Sequence, residues 1–127
     1  MQLTLQYYCS QILPDNSVIG RCFISKDLEG TRFFENFTFL LHPVVKYESD
    51  QNKRTKKEIE RLGYFAAIGR IRLEEINLLI NPQNMESNQR DESILEGGKQ
   101  NNAIIMTADN HMKGIAQSKG IFIIEIP

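Results

Sequence analysis

An open α/β sheet, mainly parallel and covered by helices on both faces, is the architecture this chain predicts. Three observations carry that reading. Short apolar runs of strand length alternate with segments of helical spacing, the pattern of parallel strands joined by crossover helices. Two of these runs, one near each end of the chain, stop at an acid that is followed at once by a helical pattern. The length, 127 residues, suits a single domain, long enough to bury about two-thirds of its unfolded surface. The expected class is therefore a three-layer α/β/α domain spanning residues 1–127, with no internal repeat and no linker.

The elements follow in order. In residues 1–11, Leu3, Leu5 and Tyr7 alternate with polar residues, which suits an N-terminal arm or edge strand. Residues 12–15 read as a central strand that stops at Asp15. Residues 17–28 can form a helix with Val18, Cys22 and Ile24 inward, ending before Glu29 and Gly30. Residues 37–41 are a second buried strand, and Pro43 suits the first turn of a helix carrying Val44, Val45 and Glu48. Residues 50–61 are strongly polar.

Residues 62–80 read two ways, because Ile71 and Leu73 alternate as in a strand while Leu73, Ile76 and Ile80 have helical spacing. Residues 81–90, rich in Asn, Gln and Ser and containing Pro82, read as a mobile loop. A helix over 91–100 is weakened by Gly97 and Gly98, each costing about 1 kcal/mol relative to Ala. A strand over 103–107, a helix over 110–118, a stop with positive φ at Gly120 and a strand over 121–126 complete the chain.

Composition removes several function classes. The formal net charge is −1, so any attraction to nucleic acid must come from local clustering. No run approaches the roughly 20 apolar residues needed to span a bilayer. Residues 1–6 lack the basic and apolar regions of a secretory signal. Cys9 and Cys22 have no disulfide or metal-site spacing and read as reduced thiols, so a cytoplasmic location is expected. Neither G-x-G-x-x-G nor G-x-x-x-x-G-K-[ST] occurs, which argues against a nucleotide-binding domain.

Four acids stand out: Asp15, Glu48, Asp91 and Asp109, each where an apolar run meets a turn or a helix. A carboxylate at the carboxyl end of a parallel strand points into the crevice where open α/β sheets bind ligands. Strand ends from opposite termini can thus bring acids together around divalent cations. The plainer reading of Asp15 and Asp109 is a helix N-cap, for which Asp is well suited. The second acid is Glu48 or, with a small shift of register, Asp50. Asp91 competes with Glu92, since successive helical residues face about 100° apart and only one can enter a site. Ser17 and Thr107 place hydroxyls near two of the acids, where they can orient a ligand oxygen. His42, before Pro43, reads as structural, and His111 lies one turn beyond Asp109.

Lys53, Arg54, Lys56 and Lys57 are the substrate-binding candidates, offering phosphate contacts without sequence reading. A solvated helix face is the simpler account of such a run. Tyr64 to Ile68 is an apolar run longer than one helix face needs, with Tyr64 and Phe65 as core or dimer contacts.

Taken together, the run Ile12, Leu13, Pro14, Asp15, the strand Phe39, Leu40, Leu41 with Pro43 and Glu48 after it, the helix opening Asp91, Glu92, Ser93, Ile94, and the strand Ile104, Ile105, Met106, Thr107, Ala108, Asp109 resemble a PIN-domain nuclease. The resemblance spans residues 12–127 and is closest in the last third. It implies a PIN-like fold and a metal-dependent endoribonuclease hydrolysing RNA, with Mg²⁺ or Mn²⁺ held by Asp15, Glu48, Asp91 and Asp109. It also implies a homodimer, and a role as the toxin of a toxin–antitoxin pair, with an antitoxin or other protein partner, or in RNA processing. Three positions depart from the family pattern: Asn16 stands for the more usual Ser or Thr, Ala108 for Asn or Ser, and Gly98 for Ala. The alternative from another class is a PIN-like domain without catalysis, serving protein interaction or RNA binding.

Overall fold

The computed structural model describes residues 11–126. The arm expected over 1–11 lies outside these residues except for Gln11, which belongs to the first strand. Strand β1 (Gln11–Pro14) is the centre of a five-stranded parallel sheet. On one side of it lie β2 (Thr38–Leu41) and then β3 (Arg72–Glu75); on the other lie β4 (Ile104–Thr107) and then β5 (Ile123–Glu125). The chain steps outward from β1 to β2 to β3 and then returns to β4 on the far side of β1. The carboxyl ends of β1 and β4 therefore form the switch point at which open α/β sheets receive ligands. Ile12 and Leu13 of β1 and Ile105 and Met106 of β4 are wholly buried. Strands covered on both faces need continuous apolar runs, which is why these two were conspicuous in the sequence.

The helices are α1 (Asn16–Gly20), α2 (Phe23–Glu29), α3 (Pro43–Ser49), α4 (Lys53–Ala67), α5 (Ser87–Gln100) and α6 (Asn110–Ser118). The single helix expected over 17–28 is in fact two, broken at Cys22, whose φ of 55° is left-handed. The break changes which residues face inward. A continuous helix would have kept Val18 and Cys22 on one face, whereas the structure buries Val18, Ile19, Ile24 and Leu28 and leaves Cys22 half-exposed. In the ambiguous region, α4 runs through the polar stretch to Ala67 and buries Thr55, Glu58, Leu62 and Phe65 at helical spacing. Glu58 can be buried because the Ser25 N–H and hydroxyl donate to it at 3.2 and 2.8 Å and Arg61 pairs with it at 3.2 Å. The strand reading then holds at β3, and Ile76 and Ile80 pack on the core without helical structure.

Only the first part of the expected loop over 81–90 is a loop, with a 3-10 turn at Pro82–Asn84. Helix α5 already begins at Ser87, where Gln89 Oε1 accepts the Glu86 N–H at 2.8 Å as half of a capping box. Asp91 thus lies more than a turn's length inside the helix region rather than opening it. The glycines of α5 have a packing reason. A Cβ at Gly97 would stand 2.8 Å from His42 Cδ2, and one at Gly98 would stand 2.5 Å from Ile105 Cδ1. The helix approaches the sheet more closely than any side chain allows, and glycine's propensity cost is offset by that contact. At the other end, Gly120 has the expected positive φ, 66°.

Candidate functional site

Asp15 emerges from β1 straight into the N-cap of α1 and is 5 % exposed. Its Oδ1 accepts the backbone N–H groups of Ser17 (3.0 Å) and Val18 (3.3 Å) and the Ser17 hydroxyl. Its Oδ2 accepts the Thr107 hydroxyl at the end of β4. The Ser17 oxygen in turn accepts the Ala108 N–H at 2.8 Å. The two hydroxyl residues singled out in the sequence therefore clamp one carboxyl group at the switch point. Burial pushes the Asp15 carboxyl above the usual carboxylate range, against the pull of these donors.

Glu48 comes from α3. His42 caps this helix, with Nδ1 accepting the Val44 N–H at 3.0 Å, and Pro43 supplies the first turn. Glu48 Oε1 accepts Asn16 Nδ2 at 2.7 Å, and Oε2 lies 3.5 Å from Arg90 Nη1. Asp50, the alternative, is exposed at the C-terminal end of α3. Asp91 is half-buried on α5, with Oδ2 3.8 Å from His111 Nε2, whereas Glu92 is exposed. Asp109 is exposed at the N-cap of α6, where Oδ1 accepts the His111 N–H at 2.9 Å.

What draws these positions together is the electrostatics of Asp91. Its carboxyl is pushed up first by burial and then by the negative charges of Asp109, Glu48 and Asp15, with His111 acting in the opposite sense. The other three acids thus lie within electrostatic reach of Asp91, and Asp15 and Asp109 are the N-caps of α1 and α6. As they stand, no three His, Cys, Asp or Glu side chains among the described residues form a group that could hold a metal ion. The donors themselves are carboxylate and amide oxygens, and Asn16 Oδ1 is buried with no hydrogen-bond partner among the described residues. That all-oxygen chemistry suits a hard divalent cation.

Three residues of this region carried no signal in the sequence that marked them as functional. Asn16 was conspicuous only as a departure, yet it bonds Glu48. Arg90 sat in an apparent loop; it donates twice to the Pro82 carbonyl, at 3.0 and 2.8 Å, and lies 5.1 Å above the Tyr47 ring. Arg21, at the C-cap of α1, lines a cleft of about 500 Å³ that Asn16, Ser17, Glu48, Asn52 and Arg54 also line. Of the basic run, Arg54 reaches this cleft, while Lys53, Lys56 and Lys57 are exposed elsewhere on α4. His42 is wholly buried, and Nε2 donates to the Ser93 carbonyl at 3.0 Å, so it joins β2 to α5 as a structural residue. No helix among the described residues is long and apolar enough to cross a membrane.

No family model and no curated protein matches the chain. Solved structures do. A domain of a functionally unknown protein from Methanocaldococcus jannaschii DSM 2661 superposes with a TM-score of 0.81 at 18 % identity, covering 92 % of this chain and 91 % of that one. A PilT N-terminus domain protein from the hyperthermophilic archaeon Sulfolobus solfataricus P2 superposes with a TM-score of 0.51 at 14 % identity, covering 91 % and 86 %. At these identities the likeness is one of fold, and the fold is PIN-like.

Proposed function

We propose that the protein is a divalent-metal-dependent endoribonuclease whose cation, Mg²⁺ or Mn²⁺, is held by Asp15, Glu48, Asp91 and Asp109. The observation that carries the reading is the placement of Asp91 beside the switch point, within reach of the negative charges of Asp109, Glu48 and Asp15. A carboxyl group within reach of several others is disfavoured in its charged form unless a cation or protons offset the repulsion. The likeness of fold to a PilT N-terminus domain protein supports the same reading.

Each residue has a part. Asp15, fixed by Ser17 and Thr107, offers a carboxylate with little freedom to move. Glu48 of α3, Asp91 of α5 and Asp109 at the start of α6 are the other proposed ligands. When bound, the cation supplies a water acidified toward neutral pH and stabilises charge on the leaving oxygen of an in-line displacement. Lys53, Arg54, Lys56 and Lys57 are the proposed contacts to RNA phosphates. A second copy pairing through Tyr64 and Ile68, both exposed near the end of α4, belongs to the same proposal, as does an antitoxin or other protein partner. A strictly monomeric mass at micromolar concentration would remove the homodimer alone.

A second reading draws on one observation. Glu48 is engaged by Asn16 and Arg90, and Asp91 by His111, as in a domain that has replaced its cation with internal partners. Such a domain would bind RNA or protein without cleaving. The experiment that separates the two is Mn²⁺-dependent cleavage of a mixed RNA pool by the wild type beside Asp91→Asn. The nuclease predicts cleavage lost in the variant and in chelator; absence of cleavage by the wild type, with Mn²⁺ in excess, favours the binding domain.

A further inference from the structure

The cleft between α1, α3 and the start of α4 shares Asn16, Ser17 and Glu48 with the acid region, so it continues that region along the surface. Its volume, about 500 Å³, is within the roughly 300–1,000 Å³ of small-ligand sites, enough for one phosphate and sugar but not for a base-paired stem. Two arginines from different elements line it. Arg21 is steadied by a hydrogen bond from Nη1 to the Ser17 carbonyl at 2.9 Å, and Arg54 lies in the first turn of α4. Among the described residues neither guanidinium is paired with a carboxylate, whereas Arg61, Arg70 and Arg90 each are. The acid in the lining, Glu48, has its charge offset by Arg90 at 3.5 Å. Among the described residues no aromatic ring lines the cleft, so none of them offers a platform for stacking a base.

From this we infer that the cleft is a subsite for one backbone phosphate of a single RNA strand, next to the position at the acids, with Arg21 and Arg54 as its ligands. The guanidinium fork matches phosphate oxygens in pairs, and such contacts place the strand without reading its sequence. The assignment of RNA rests on the nuclease reading; the phosphate chemistry of the cleft does not.

The test is equilibrium binding of a mixed-sequence, single-stranded oligoribonucleotide in chelator, where nothing is cut, followed over a range of salt. Arg21→Gln and Arg54→Gln should each weaken binding several-fold. The double variant should flatten the slope of log affinity against log salt by about 0.7, the value for one phosphate contact on a single strand. Lys99→Gln, the same charge change in the last turn of α5, should alter neither quantity. Binding by the double variant with wild-type affinity and slope overturns the subsite, as does a wild type that binds no RNA. Cleavage with Mn²⁺ is scored separately. A wild type that cleaves while the double variant binds normally loses the subsite and keeps the nuclease. One that binds through both arginines and never cleaves keeps the subsite and loses the nuclease.

Discussion

Thr107 gives its hydroxyl proton to Asp15 Oδ2 across the junction of β4 and β1. The same hydroxyl oxygen accepts the backbone N–H of Asp109 at 2.9 Å. One side chain thus ties the first acid to the last, 92 residues apart in sequence for the first bond and two for the second. The arrangement holds because Asp15 Oδ2, buried at the end of β1, needs a donor and the buried Thr107 hydroxyl needs an acceptor.

Thr107→Val keeps the shape of the side chain and removes both bonds. It should destabilise the fold by about 1–3 kcal/mol, the cost of stranding buried polar groups. Thr107→Ser should recover most of that loss. Urea denaturation midpoints decide it, and a Val variant as stable as wild type would show that Asp15 needs no partner from β4.

Asp15 and Asp109 should respond differently to amidation. Asp15→Asn sets an NH₂ group among donors from Ser17, Val18 and Thr107 and should lower stability as well as activity. Asp109→Asn keeps the cap on α6, since Asn caps as well as Asp, and removes a charge that raises the Asp91 carboxyl. Without metal it should be at least as stable as wild type; with Mn²⁺ it should gain less stability than wild type does. Thermal melts in chelator and in excess Mn²⁺ test both halves. A variant that is simply destabilised in both would reduce Asp109 to an ordinary cap.

The glycines give a paired test. Gly97→Ala should destabilise by about 1–3 kcal/mol, because its Cβ meets the His42 ring at 2.8 Å and overpacking outweighs the gain in helix propensity. Gly63→Ala, within α4 and with no described residue within 4 Å of its Cβ, should stabilise by about 0.5–1 kcal/mol. Equal effects at the two sites would mean that α5 can draw back from the sheet.

His42 supplies a pH dependence. Burial lowers its pKa from 6.5 to about 4, so the folded protein keeps it neutral while the unfolded chain takes a proton near 6.5. Its contribution, roughly 3 kcal/mol, is complete above pH 6.5 and is lost as pH falls from 6.5 toward 4. The raised carboxyls of Asp15 and Asp91 act in the opposite sense, favouring the fold as they take up protons on acidification. They are common to wild type and His42→Asn, so the difference between the two stability curves isolates the histidine. The wild type should fall more steeply between pH 6.5 and 4; parallel curves would contradict the assignment.

The sheet was legible because β1 and β4 are covered on both faces and must be apolar throughout, which leaves an unmistakable run before Asp15 and before Asp109. The acids at those ends were legible for the same reason. Less so was anything decided by backbone conformation or by distant neighbours. The left-handed turn at Cys22 leaves no periodic trace, so the broken helix looked continuous. The start of α5 is made of Ser87, Asn88, Gln89 and Arg90, polar residues that resemble a loop until Gln89 is seen to cap. Gly97 and Gly98 read as weakness because His42 and Ile105, which they admit, lie elsewhere in the sequence. Arg90 and Arg21 gain meaning only from the partners and the cleft that the fold brings to them.

Calorimetric titration of the purified protein with Mn²⁺ at neutral pH decides whether Asp15, Glu48, Asp91 and Asp109 together hold a divalent cation. The wild type should bind saturably, and Asp91→Asn, with a fold that melts normally, should lose that binding. Absence of Mn²⁺ uptake by the wild type, or uptake undiminished in Asp91→Asn, would contradict it.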